Sequence, residues 1–317
     1  MTFHQRLRDL DHEIVGIGLF PIPTGRAYSN GSSLYADKIH VFPHGERLGM
    51  LARSNLYPSY GHSSLYMGTA GLINFGHIRN IRPSYAVLFD VNPHQIIYWN
   101  VVLSGVRQNQ TYEGFRSFLN YSEVISKNMI AQKLGGQEFS ARHSMTNVFH
   151  DGDPQSLSRQ TFFYSARSFS SYMDEINFDE KDYALLRGMV MEDRIGALTL
   201  DVFDVEGWQQ FSGFLKEMRA DYSDFPKAVD TIYVSSVFRF VKADTDWTGR
   251  KINTLNNNGI FSILDAQKSV VIDSATVYSV SEFQTRTKDN AWPSLRQARK
   301  KESAPASGVD RSAPHFI

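Results

Sequence analysis

The sequence predicts an α/β fold, with a mostly parallel sheet and helices on both of its faces. Three observations carry this expectation. Apolar runs of strand length alternate with segments of helical length from Ser64 onward. Several of those runs stop at a glycine or an acid, as strands do at the ligand-facing edge of a parallel sheet. The chain of 317 residues, 42% hydrophobic and 21% charged, has the length and composition to bury the core that such a sheet requires.

The elements follow in order. Ser64 to Met67 reads as a short buried strand, ended by Gly68-Thr-Ala-Gly71, with Leu72 to Ile81 as the next helix and Pro83 closing it. Tyr85 to Phe89 is a nearly continuous apolar run, as expected of a strand buried on both faces, and it stops at Asp90. Pro93 suits the first turn of a helix that runs through Gln95 to Val106, and Tyr112 to Leu119 continues it after a turn.

Residues from about 135 to 192 are polar, aromatic and irregular, with helical signals near Leu157 to Met173 and Asp179 to Met189. They read as an inserted helical or loop region. The alternation resumes with a strand from Ile195 to Leu200 that ends at Asp201, a helix from Glu206 to Arg219, and a strand from Thr231 to Val234 that ends at Ser235 and Ser236. Gly259 to Leu264 and Val270 to Val280 read as a closing antiparallel strand pair, joined by a turn at Asp265 to Lys268.

Together these elements make a Rossmann-like domain over residues 61–286. Residues 1–60, beginning with a helix from Thr2 to Ile14, read as an N-terminal arm or lid, and residues 287–317 as a disordered tail.

Composition excludes several functions. Lys plus Arg and Asp plus Glu both total 33, so no field of one sign steers the chain toward nucleic acid. No cysteine is present, which removes disulfides, thiolate catalysis and cysteine-held metal sites. The apolar run from Ile14 to Pro23 is short, is broken by glycine and proline, and follows Asp9, Asp11 and Glu13. It is neither a signal peptide nor a transmembrane span, and we expect a soluble, cytoplasmic protein. Asp151 and Asp153 lie near His143 and His150 but lack the spacing of a calcium loop or a two-histidine helix motif, so no metal is expected.

The most informative constellation is a strand, a Gly-x-x-Gly turn, a helix, a second apolar strand and an acid, here Gly68, Gly71 and Asp90. Glycines let backbone approach a ligand, and an acid ending the second strand can accept both ribose hydroxyl protons. The full G-x-G-x-x-G spacing is missing, which favours an adenosine ligand without phosphates over a dinucleotide. The alternative is a purely structural turn with a strand-capping aspartate. Tyr57, Tyr60 and His62 precede the first strand, where a lid could close over substrate and His62 could act as a base; otherwise they pack a loop. Arg239, five residues beyond Val234, could hold a substrate carboxylate or pair at the surface. The aromatic stretch from Phe162 to Tyr172 could line an apolar acceptor pocket.

The stretch around Asp90 resembles the betaine lipid synthases, a branch of the class I S-adenosylmethionine-dependent transferases that moves a 3-amino-3-carboxypropyl group. The matching residues are Gly68, Gly71 and Asn74, then Asp90, Asn92, Pro93 and Gln95, then Tyr112 and Phe115. Farther on, Asp193-Arg-Ile195 leads a strand ending in Asp201, and the run from Tyr233 to Val237 is similar to a family strand ending in Ser-Asn-Val, with Ser236 standing where the family has asparagine. The resemblance covers about residues 64–119 and 193–240. It implies S-adenosylmethionine as donor, with Asp90 on the ribose, Asp201 near the adenine amino group and Ser235 facing the reactive end.

The Asp/Asn-Pro-Pro-Tyr/Phe signature of amino-group methyltransferases is absent after the fourth strand, which disfavours a nucleobase or amide nitrogen as acceptor. The first expectation is therefore a transferase moving a methyl or 3-amino-3-carboxypropyl group to a small-molecule or lipid-like acceptor. A second is a non-catalytic nucleotide-binding or interaction protein on the same fold. A third, disfavoured by the glycine spacing, is an NAD-dependent enzyme.

Overall fold

A computed structural model describes residues 1–16, 63–69, 71–90, 93–120, 173–174, 176–202, 204–234, 259–273 and 276–288. The elements are α1 (Phe3–Gly16), β1 (Leu65–Gly68), α2 (Ile73–Ile81), β2 (Tyr85–Asp90), α3 (Pro93–Gln108), α4 (Tyr112–Asn120), α5 (Glu180–Met191), β3 (Ile195–Thr199), α6 (Val205–Asp221), β4 (Thr231–Tyr233), a 3₁₀ turn (Ile260–Ile263), β5 (Val270–Asp273), β6 (Thr276–Ser279) and α7 (Val280–Lys288). The strands form one six-stranded sheet in the order β3-β2-β1-β4-β5-β6, with every pairing parallel except the antiparallel β5–β6. This is the Rossmann-like α/β fold expected from the alternating pattern. Among the described residues, no helix is long and apolar enough to cross a membrane.

Strand alternation divides the core into two layers. Tyr66, Ala86, Leu88, Ala197 and Tyr233 face the layer covered by α2, α3, α4 and α5. Leu65, Met67, Val87, Phe89 and Leu198 face the other, covered by α1, α6, the 3₁₀ turn and α7. A sheet covered on both faces explains why β2 reads as an unbroken apolar run.

Helix α1 is part of this core. Phe3, Leu7, Leu10 and Ile14, spaced for one helical face, are buried against the second layer. The helix also covers the open edge of β3, where the Thr199 N–H donates to Asp11 Oδ1 at 2.5 Å and His4 Nδ1 lies 3.1 Å from the Ile195 carbonyl oxygen. Polar groups of an edge strand that would otherwise invite pairing with another chain are thus bound within the molecule.

Residues 180–191, at the end of the expected insertion, form a regular helix that leads into β3. Asp179 starts it with a capping box, accepting from the Lys181 and Asp182 N–H groups at 2.8 and 3.0 Å. Tyr183, Leu186, Met189 and Val190 then bury one face of α5, and the Tyr183 hydroxyl donates to the Asn109 carbonyl at 2.8 Å.

The closing strands differ from the expectation. Residues 260–263 form a 3₁₀ turn, because the two buried isoleucines, Ile260 and Ile263, stand three residues apart, a helical spacing that a strand would split between its faces. The antiparallel pair lies wholly within 270–279, with Asp273 opposite Thr276.

Candidate functional site

The chain lays β1, β2 and β3 outward in one direction, then returns to place β4 on the other side of β1. The strand order reverses between β1 and β4, and a crevice for ligands forms outside the carboxyl ends of the strands at such a point. Gly68 is paired with Leu88 and Tyr233, and Asp90 with Thr199. The ends of four strands therefore stand side by side.

Thr69, the residue after β1, ties three elements together at this edge. Its N–H donates to the Tyr233 carbonyl of β4 at 3.0 Å. Its hydroxyl donates to Asp90 Oδ2 of β2 at 3.4 Å, and its carbonyl accepts from Asn74 Nδ2 of α2 at 2.9 Å. Asp90 is half-buried, whereas Thr69 is 4% exposed. Among the described residues at these strand ends, the Asp90 carboxylate is thus the acidic group that reaches solvent.

Asn74 is fully buried and its amide is saturated within the protein. Nδ2 donates to Thr69 O and to Gly71 O, at 2.9 and 2.7 Å, and Oδ1 accepts from the Tyr66 hydroxyl at 2.6 Å. The expected role in direct contact with a ligand does not fit this arrangement; Asn74 braces the turn. Gly68 has a related reason to be glycine. A Cβ there would overlap Asn74 Oδ1 and the Tyr66 hydroxyl, so the space it leaves is taken by those two side chains.

One turn along α2, the fully buried His77 packs against Tyr233, with ring centroids 4.5 Å apart, and against Tyr66 at 6.1 Å. Burial, reinforced by the Arg79 charge, pushes the imidazole down to about 3, so it is neutral at physiological pH.

At the end of β3, the Leu200 N–H donates to the Asp90 carbonyl at 2.9 Å and brings Asp201 next to the Asp90 strand. Asp201 is 2% exposed, far more enclosed than Asp90. Asp204 then caps α6, accepting from the Glu206 N–H at 3.2 Å.

Of the residues expected to form the site, Gly68, Gly71, Asn74, Asp90 and Asp201 are brought to this edge. Gln95 lies in the first turn of α3. Tyr57, Tyr60, His62, Asn92, Ser235 and Arg239 lie outside the described residues, as do the aspartates and histidines of 143–153 and the aromatic stretch 162–172. Among the described residues, no three histidine, aspartate or glutamate side chains gather as a metal site would require.

The sequence reading missed Tyr66, Thr69, His77 and Tyr233. A signal was present for one of them: His77 stands three residues after Asn74, a second polar residue on a helix whose other inward positions, Ile73, Phe75, Ile78 and Ile81, are hydrophobic.

Comparison with known proteins gives no match among curated sequences. Residues 59–307, which span the described sheet and its carboxyl edge, match a family described as a domain of unknown function (DUF7790), and the chain belongs to that family.

Proposed function

We propose that this protein binds S-adenosylmethionine at the carboxyl ends of β1 to β4 and transfers its methyl or 3-amino-3-carboxypropyl group to a small-molecule or lipid-like acceptor in the cytoplasm. The observation that carries the reading is the Thr69–Asp90 contact at 3.4 Å across the ends of β1 and β2, beside the point where strand order reverses. The half-buried Asp90 has the chemistry to accept protons from a vicinal diol. Thr69, itself fixed by β4, restricts where that carboxylate stands.

The antiparallel β6 supports a mononucleoside over a dinucleotide. Dinucleotide folds repeat a βαβαβ unit on both sides of the reversal, whereas here the second side ends in the β5–β6 hairpin. S-adenosylmethionine supplies an activated sulfonium whose methyl or γ-carbon passes to a nucleophile. The chain's own contribution is to hold the ribose at Asp90 and to align the acceptor.

A second reading, a non-catalytic nucleotide-binding or interaction protein, is favoured by one observation. The described strand ends present the Asp90 carboxylate but no imidazole or amine to serve as a general base.

Calorimetry of the full chain with S-adenosylmethionine and S-adenosylhomocysteine tests donor binding. A product assay then separates the reactions, since methylthioadenosine marks aminocarboxypropyl transfer and S-adenosylhomocysteine marks methyl transfer. Binding without either product supports the second reading. No binding of either nucleoside rejects both donor-based readings.

A further inference from the structure

Four polar residues run in series from the interior of the sheet to its carboxyl edge, linked by hydrogen bonds from the Tyr66 hydroxyl to Asn74 Oδ1 at 2.6 Å, from Asn74 Nδ2 to the Thr69 main-chain carbonyl at 2.9 Å, and from the Thr69 hydroxyl to Asp90 at 3.4 Å. Tyr66 and Asn74 are 0% exposed and so have no contact with a ligand at the edge. Their geometry nevertheless determines what the edge presents. An amide has two unlike ends, and only the nitrogen can donate. Because the Tyr66 hydroxyl donates to Oδ1, the amide is held with Nδ2 toward the Thr69 and Gly71 carbonyls. Both carbonyls are drawn down into the protein, and Thr69 is placed with its hydroxyl toward Asp90.

We infer that Tyr66 and Asn74 are positioning residues for the nucleoside site, acting through Thr69 on the orientation of Asp90; the inference rests on the donor-binding reading above. Tyr66 sets the direction of the Asn74 amide, Asn74 sets the position of Thr69, and Thr69 holds one oxygen of the Asp90 carboxylate. Gly68 belongs to the same device, since a side chain at this position would displace Tyr66 and Asn74.

Tyr66→Phe removes one hydroxyl and keeps the ring. Tyr183→Phe makes the same chemical change in the same core layer, removing a buried hydroxyl that donates to the Asn109 carbonyl away from the strand ends. The two variants separate positioning from general stability. Calorimetry with S-adenosylhomocysteine is expected to show affinity about threefold weaker in Tyr66→Phe, a part of what the Thr69 hydroxyl contributes, and unchanged in Tyr183→Phe. NMR-detected hydrogen exchange at the Thr69, Asn74 and Phe75 amides is expected to quicken only in Tyr66→Phe. Asn74→Asp, which cannot donate to the two carbonyls as a carboxylate, is expected to weaken binding further.

Equal affinity in Tyr66→Phe and Tyr183→Phe, or unchanged exchange at Thr69 in Tyr66→Phe, overturns the inference while leaving donor binding intact. Failure of the unmodified protein to bind S-adenosylhomocysteine instead removes the donor-binding reading, and the inference with it.

Discussion

The imidazole of His77 packs on the ring of Tyr233 with centroids 4.5 Å apart, joining α2 to the last residue of β4 beneath the turn that follows β1. Burial favours the uncharged ring, so its folded value of about 3 lies well below the ordinary histidine value of 6.5. Between these values the unfolded chain binds more protons than the folded one. Stability is therefore complete above pH 6.5 and is lost as pH falls toward 3, by roughly 1.4 kcal/mol for each pH unit. Urea unfolding of the intact protein and of His77→Leu, at a series of pH values, checks this. The difference between the two stabilities should shrink on acidification; a constant difference would show that His77 does not titrate as burial dictates.

A Cβ at Gly68 meets Asn74 and Tyr66 in the interior. Gly68→Ala is expected to cost about 1–3 kcal/mol as overpacking. The same substitution should cost clearly less in an Asn74→Ala background, where the first obstructing atom is gone. A double-mutant cycle with a coupling of about 1 kcal/mol or more is the expected result. Additive costs would place the strain elsewhere.

Much of the fold was legible because its signals are local. The run from Tyr85 to Asp90, the proline that opens α3 and the apolar spacing of α6 each specify an element from neighbouring residues alone. The site was legible only in part. Gly68, Gly71 and Asp90 were visible as strand-end residues, but Thr69 gains its importance from Tyr233, 164 positions away, through the pairing of β1 with β4. No spacing rule connects them. The purpose of Gly68 was also hidden, because a glycine that makes room for a ligand and one that makes room for Tyr66 and Asn74 read alike. Helix α1 was legible as a helix but not as cover for the β3 edge, since that role depends on β3 standing last in the sheet.

That edge gives a third prediction. Asp11 Oδ1 accepts from the Thr199 N–H, and burial raises the Asp11 carboxyl above its ordinary value of 3.8. The folded state then binds the proton more tightly, so stability falls as pH rises from 3.8 through the raised folded value and is level beyond it. Asp11→Asn keeps an acceptor without the charge and should lose less than about 1 kcal/mol at neutral pH. Asp11→Ala leaves the edge N–H unbound and should lose about 1–3 kcal/mol. Thermal unfolding at neutral pH ranks the two variants, and equal losses would show that the hydrogen bond is not what Asp11 contributes.

At the ligand-facing edge, Asp90 and Thr69 should differ in degree. Asp90 is half-buried and offers a charge, so Asp90→Ala removes hydrogen bonds to an ionised group worth about 1.5–3 kcal/mol. Calorimetry with S-adenosylhomocysteine is expected to show affinity reduced by roughly 10- to 150-fold. Thr69→Val keeps shape and burial but gives up the hydroxyl that restrains the carboxylate, and a loss of about 3- to 10-fold is expected. In the double variant the Thr69 substitution should have little further effect, because the group it orients is gone. Independent losses at the two positions would mean that Thr69 contacts the nucleoside directly and does not act through Asp90.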